Sequence, residues 1–167
     1  MDKNIVLIGM PSSGKSTIGV VLAKALGKKF IDTDLVIQEQ ENQLLQEIIN
    51  KKGLSYFKLA EEKAILSLSE ISDTVISTGG SAIYSRKAMQ GLKANSYVFY
   101  LNLPYNQILS RLHNLSTRGI AMNNGQSLKQ LYNERTPLYK KYADYIIDCD
   151  DKKIHSIVNE IVDKINM

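Results

Sequence analysis

Asn4-Ile5-Val6-Leu7-Ile8-Gly9-Met10-Pro11-Ser12-Ser13-Gly14-Lys15-Ser16 is the stretch whose reading decides the fold of this chain. Its first five residues form a short apolar, β-branched run, the pattern of a buried strand. Gly9 to Ser16 follow at once as Gly-x4-Gly-Lys-Ser, and Thr17 to Leu26 read as a helix ending at Gly27. Strand, glycine-bounded loop and helix in that order make the pattern credible as a phosphate-binding P-loop. Gly9 and Gly14 allow the tight turn that aims successive N–H groups at an anion. The helix N-terminus behind them adds unsatisfied donors and partial positive charge. Lys15 would reach the terminal phosphates, and the Ser16 hydroxyl would ligate Mg²⁺. A chance glycine-rich turn would lack the flanking strand and helix. The stretch predicts a chain that binds a nucleoside triphosphate.

Outward from this stretch, strands and helices alternate. Phe30-Ile31 is a short strand running into Asp32-Thr33-Asp34, where two carboxylates one residue apart share one side of an extended chain. Helices are predicted over Leu35 to Glu41, Leu44 to Lys51 and Leu54 to Ser69. Thr74 to Ser77 is the next strand, followed by Thr78-Gly79-Gly80-Ser81. A helix over about Ser85 to Ala94 leads to a strand over Tyr97 to Leu101. Pro104 opens a helix reaching about Leu112. Residues His113 to Gln126 form a polar stretch that is long for a connection, which marks a candidate mobile lid over about 112–126. A helix over Ser127 to Tyr142 holds Arg135 and is kinked at Pro137. Tyr145 to Cys149 is the last strand, and Ile154 to Ile165 a closing amphipathic helix. The pattern predicts one α/β domain over residues 1–167, a parallel sheet covered on both faces in three layers. Ligands in such folds bind at the carboxyl ends of the strands. Ser16, Asp34 and Gly80 all fall at such ends and should converge on one cleft.

Composition sets the class. The chain has 167 residues, 44% hydrophobic and 23% charged, enough for a core without disulfides. The single cysteine, Cys149, forms no internal disulfide and fits a reducing cytoplasm. No apolar run is long enough to cross a bilayer, so no membrane partner is expected. The net charge of +4 suits small anions, and no arginine-rich or aromatic-interleaved segment argues for nucleic acid. His113 and His155 have no metal-ligand spacing.

The P-loop alone leaves motors, GTPases, transporters and kinases open. No Asn-Lys-x-Asp run specifies guanine, and the strand at Val75-Ile76 ends in Ser77-Thr78 with no acidic magnesium partner. The carboxylates stand at Asp32 and Asp34 instead. With Phe57-Lys58-x-x-Glu61, Gly79-Gly80, Arg118 and Arg135-x-Pro137-Leu138-Tyr139, these motifs resemble the shikimate kinases in order and spacing over essentially the whole chain.

That resemblance implies a five-stranded parallel sheet of P-loop kinase type with a lid and with acceptor-binding helices over about 33–61. It implies transfer of the γ-phosphoryl group of Mg-ATP to the 3-hydroxyl of shikimate, a step toward aromatic amino acids, by a monomer. ATP binding would fall to Gly9, Ser12, Ser13, Gly14, Lys15, Ser16 and Thr17, with Arg111 against the adenine. Ser16 would ligate Mg²⁺ directly and Asp32 through water. Asp34 would bind the acceptor hydroxyls and take the proton, with Lys15 and Arg118 stabilising the transferred phosphoryl. Lys58, Gly79, Gly80, Ser81 and Arg135 would complete the acceptor site, Gly80 through its N–H and Arg135 through the carboxylate. Blander roles stay open at this point: Asp34 as a helix cap, Lys58 and Arg135 as solvated helix charges.

Three positions depart from the family pattern. Lys58 stands where the family has arginine, so the charge survives and the planar two-pronged fork does not. Ser81 replaces a third glycine. At φ > 0 it would cost about 1–2 kcal/mol; otherwise its hydroxyl enters or borders the acceptor pocket. Arg118-Gly119-Ile120-Ala121 replaces Arg-Pro-Leu-Leu, which predicts a more flexible, less apolar lid. All three touch the acceptor side or the lid, so two alternatives remain: a related kinase with a different hydroxyl acceptor, and a non-catalytic ATP-binding module.

Overall fold

In the computed structural model, which describes residues 3–112 and 119–167, strand β1 (Asn4–Ile8) is buried along its whole length. It pairs in parallel with β3 (Thr74–Ser77) on one side and β4 (Ser96–Asn102) on the other. β2 (Lys29–Asp32) pairs with β3 and β5 (Tyr145–Asp148) with β4, giving the all-parallel order β2-β3-β1-β4-β5. The continuous apolar run Ile5 to Ile8 suits a strand with neighbours on both edges and layers on both faces. Because β1 is central, the loop that leaves its carboxyl end emerges at mid-sheet, between the ends of β3 and β4. That placement puts the P-loop in the cleft.

Eight helices are described: α1 (Lys15–Leu26), α2 (Thr33–Glu41), α3 (Leu45–Lys52), α4 (Leu54–Leu66), α5 (Arg86–Ala94), α6 (Tyr105–Arg111), α7 (Leu128–Tyr142) and α8 (Ile154–Ile165). The sequence pattern anticipated each, to within a few residues at either end. Pro104 flanks α6 as its cap instead of opening it. Pro137 lies inside α7, which runs on to Tyr142 as expected. A single 3₁₀ turn over Ala82–Tyr84, which no periodicity could signal in three residues, follows the Gly79-Gly80 loop.

Most buried apolar residues form one core around the sheet, where Phe99 stacks on Tyr145 and Tyr100 on Tyr139. A second, smaller core joins α2, α3 and α4 through Ile37, Leu45, Ile48, Phe57, Ala60 and Ala64, and takes in Ala121 from the far chain segment. The helices expected at about 33–61 on the acceptor side therefore pack on their own apolar centre. The Tyr97–Tyr100 run belongs to the main core, as its place in a strand implied, and so does Cys149, although β5 ends one residue before it. Among the described residues, no helix is long and apolar enough to cross a membrane.

At the opposite end of β1 from the cleft, Asn4 ties strand to strand. Its amide donates to the Ile71 carbonyl at 2.7 Å and accepts from the buried Thr74 N–H at 3.0 Å. Asn4→Ala would leave that N–H without a partner, at a cost of about 2 kcal/mol. A lowered urea midpoint with unchanged ATP affinity is the expected result, read by denaturation and calorimetry.

Candidate active site

The loop after β1 has the geometry its glycines allow. Gly9 sits at φ +151, where a Cβ would lie 2.9 Å from the Leu101 carbonyl oxygen, and Gly14 caps α1 in the left-handed region at φ +92. Ser12 also adopts a left-handed conformation, at φ +63. Sequence reasoning assigned no such turn to Ser12, and non-glycine residues pay about 1–2 kcal/mol for it. The Ser13 N–H donates to the Met10 carbonyl and closes the turn.

Lys15 is buried beneath this loop. Its ammonium donates to the Gly9 and Met10 carbonyls at 2.9 and 2.8 Å and to Ser13 Oγ at 3.3 Å. Burial pushes it down to about 8, against the pull of Asp34. Ser16, in the first turn of α1, donates through Oγ to Asp32 Oδ2 at 2.6 Å. Thr17 lies beside it on the cleft wall. The guanidinium of Arg111, at the end of α6, donates to the Ser12 carbonyl at 3.3 Å and so lies against the outside of the loop.

The Asp32–Asp34 pair is arranged differently from the extended-chain expectation. Asp32 ends β2 and caps α2, accepting from the Asp34 N–H at 3.0 Å. Thr33 opens the helix, so helical geometry places Asp34 and the cap role belongs to Asp32. Asp34 is half-buried and faces the cavity. Burial and then repulsion from Asp32 push its carboxyl up to about 6, with Lys15 pulling back. The Thr33 hydroxyl accepts from the Gly79 N–H at 3.1 Å and locks this corner to the end of β3.

The wall beside the P-loop comes from the β3 loop, α4 and α7, with a Cβ on Gly80 falling 3.0 Å from Pro11 Cδ. A Cβ on Gly79 would meet Asp34 Oδ1 at 2.7 Å and Glu61 Oε2 at 2.9 Å, so only glycine lets both carboxyls close in on this point. A Cβ on Gly80 would lie 2.7 Å from Arg135 Nη1. Tyr139, one turn after Arg135 on α7, donates to the Gly80 carbonyl at 2.6 Å. Ser81 has φ −93, so serine is unstrained there. Its hydroxyl donates to Glu61, 2.8 Å from either carboxyl oxygen. Glu61 is only 2% exposed, and burial pushes it up to about 7, opposed by the Ser81 hydrogen bond.

Arg135 is 1% exposed, which rules out a solvated helix charge. It donates to the Ala121 carbonyl and through Nε to Tyr84 Oη at 3.4 Å. These residues enclose a cavity of about 400 Å³, lined among others by Ser12, Lys15, Asp34, Glu61, Gly80, Ser81 and Arg135. Gly119, Ile120 and Ala121 close one side, with the Gly119 N–H donating to Gln46 Oε1 of α3. Lys58 lines an adjoining groove that shares Glu61 and Ser81 with the cavity. Arg118 and the first part of the expected lid, residues 113–118, lie outside the described residues.

Glu61 and Tyr139 fall within the sequence motifs, yet the motifs assign neither a place in the site. Spacing could have raised both, since Glu61 falls one turn after Phe57 and Tyr139 one turn after Arg135 on the buried faces of their helices.

A phosphate cradle at the end of the central strand, facing a cavity with room for a small acceptor, defines a P-loop kinase of small molecules. The model of the shikimate kinase family matches residues 11–166. Shikimate kinase from Sulfurihydrogenibium sp. (strain YO3AOP1) is 38% identical over 163 residues, 98% of this chain and 98% of that protein. Shikimate kinase from Persephonella marina is 34% identical over 98% of this chain and 99% of its own. The structure of shikimate kinase from Acinetobacter baumannii in complex with shikimate matches with a TM-score of 0.91 at 29% identity, covering 99% of this chain and 93% of that one. Deoxyadenosine kinase from M.mycoides, at 14% identity and a TM-score of 0.65, shares the fold. This chain belongs to the shikimate kinase family, and it is an ATP-dependent kinase.

The raised Glu61 carboxyl carries a stability consequence. Folded Glu61 holds its proton to about pH 7, whereas the unfolded carboxyl releases it near 4.5. The folded state therefore binds more protons between these values, and stability falls as pH rises through that window. Glu61→Gln should flatten the decline, leaving the Asp34 part, when urea midpoints are compared at pH 5 and 7.5.

Proposed function

We propose that this chain transfers the γ-phosphoryl group of Mg-ATP to the 3-hydroxyl of shikimate. The observation that carries the reading is Arg135, a buried cation on the cavity wall with no carboxylate within ion-pair distance among the described residues. Burying a charge is costly unless it is paired, so such a group favours an anionic ligand. An acceptor carboxylate at Arg135 and a hydroxyl at Asp34 would place the acceptor between Arg135 and the P-loop.

Phosphoryl transfer depends on positioning and charge neutralisation more than on covalent chemistry. Gly9, Ser12, Ser13, Gly14 and Thr17 would cradle the nucleotide phosphates, and Arg111 would lie against the adenine. Lys15 would exchange its loop carbonyls for phosphate oxygens. Ser16 and Asp32 supply hard oxygen donors 2.6 Å apart, a set suited to Mg²⁺, with Ser16 as direct ligand and Asp32 through water. Bound there, Mg²⁺ neutralises phosphate charge. Asp34, near 6, is ionised at neutral pH and basic enough to accept a hydroxyl proton. The Gly80 N–H, which donates to no described residue, would bind the acceptor beside Gly79 and Ser81. Arg118 would reach the transferred phosphoryl. Lys58 would join Arg135 at the carboxylate. On this reading the chain acts as a cytoplasmic monomer on two small molecules, with no nucleic-acid or membrane partner.

Coupled ADP release with Mg-ATP should rise strongly when shikimate is added. Release that stays at the level without acceptor would sink this reading, and a panel of other hydroxy acids would then show whether the acceptor differs. Asp34→Asn should cut kcat by about 100-fold or more while ATP affinity holds within about twofold. A mutant with full turnover removes Asp34 from the mechanism.

A further inference from the structure

Lys58 has two acidic neighbours on its own helix, Glu61 and Glu62, at the i+3 and i+4 spacings where ion pairs form. It pairs with neither. Ser81 donates to Glu61 and Ser85 donates to Glu62, so two serine hydroxyls from one short segment occupy both carboxylates. Between those serines stands Tyr84, and the Lys58 ammonium lies over its ring, 4.4 Å from the centroid. Arg135 shares that ring, with its guanidinium carbon 5.4 Å from the same centroid and its Nε on the Tyr84 hydroxyl. The hydroxyl in turn donates to Glu134. One aromatic ring therefore holds two cations that form no ion pair with a described residue, at the edge of the acceptor cavity.

We propose that Tyr84 is a positioning residue for acceptor recognition, its ring holding the Lys58 ammonium beside Arg135 so that both cations meet one carboxylate. The proposal rests on the reading of shikimate as acceptor. An ammonium on a four-carbon stem has many rotamers and no planar fork to define its direction. A ring beneath it restricts those rotamers through attraction to the π face. The Ser81 and Ser85 hydroxyls serve the same end, since each holds a carboxyl of α4 in place away from the Lys58 ammonium. Sharing one ring also brings two like charges together, and an anion between them relieves that repulsion.

The test is steady-state kinetics with shikimate and with its methyl ester, which lacks the charge. Tyr84→Leu should raise KM for shikimate about tenfold, the scale of a lost cation–π contact. Values of kcat, KM for ATP and KM for the ester should stay within about twofold of the unmodified chain. Tyr84→Phe, which keeps the ring, should restore most of the shikimate KM. In a Lys58→Met background, Tyr84→Leu should add less than about threefold. An equal rise in KM for acid and ester, a fall in kcat alone, or failure of Tyr84→Phe to rescue overturns the proposal. A second series replaces Tyr84 by phenylalanines of increasing ring fluorination, which weakens the hold on a cation with little change of shape. KM for shikimate should climb along the series, and a flat series overturns the proposal even if Tyr84→Leu fails to fold. An unmodified chain that binds ATP but does not turn over shikimate overturns the functional reading, and the carboxylate clamp falls with it.

Discussion

Two buried cations, Lys15 and Arg135, line one cavity, and the rest of the site is built around tolerating them. Neither Lys15 nor Arg135 forms an ion pair with a described residue. An uncompensated buried charge costs several kcal/mol unless polar groups solvate it. Backbone carbonyls supply that solvation: Gly9 and Met10 for Lys15, Ala121 for Arg135. Carbonyls satisfy donors without cancelling charge, so both cations remain available to an anion. Lys15 shows the cost as a proton affinity lowered to about 8.

The carboxyls complete the balance. Asp34 and Glu61 approach the same point beside Gly79, each within 3 Å of where a Cβ would stand. Both are pushed up by burial, Asp34 further by its neighbour Asp32 and Glu61 by Asp34. Such an arrangement destabilises the folded chain at neutral pH, which is the usual condition of groups held for function and not for stability. The Thr33–Gly79 and Tyr139–Gly80 hydrogen bonds hold the loop that makes the approach possible.

The departures at Lys58 and Ser81 turn out to be linked. Read separately, one is a lost fork and the other a lost glycine. In the fold, Ser81 is unstrained and takes Glu61, while Lys58, one turn earlier on α4, goes to Tyr84. Nothing in the spacing of residues 58, 61, 81 and 84 announces this, because the four meet across two elements far apart in the chain. The Gly119-Ile120-Ala121 segment is similar. Its composition suggested a less apolar lid, yet Ile120 and Ala121 are buried, and Gly119 sits where a Cβ would meet Leu45.

By itself, the sequence determined the P-loop, the alternation of strands and helices, and hence the parallel sheet and the end of it where ligands bind. These follow from local rules: apolar runs make buried strands, glycines at fixed spacing make an anion turn, and period-3.6 patterns make helices. It also placed Ser16, Asp34 and Gly80 on one cleft, since strand ends converge in such folds, while Arg135 on α7 came in through the family resemblance. Only the tertiary structure decided that the site's cations would be left without ion pairs among the described residues, that Asp32 caps the helix carrying Asp34, that Glu61 lines the cavity, and that Tyr84 and Tyr139 hold Arg135 and Gly80. Charge pairing and burial depend on distances between segments, and no one-dimensional pattern records them.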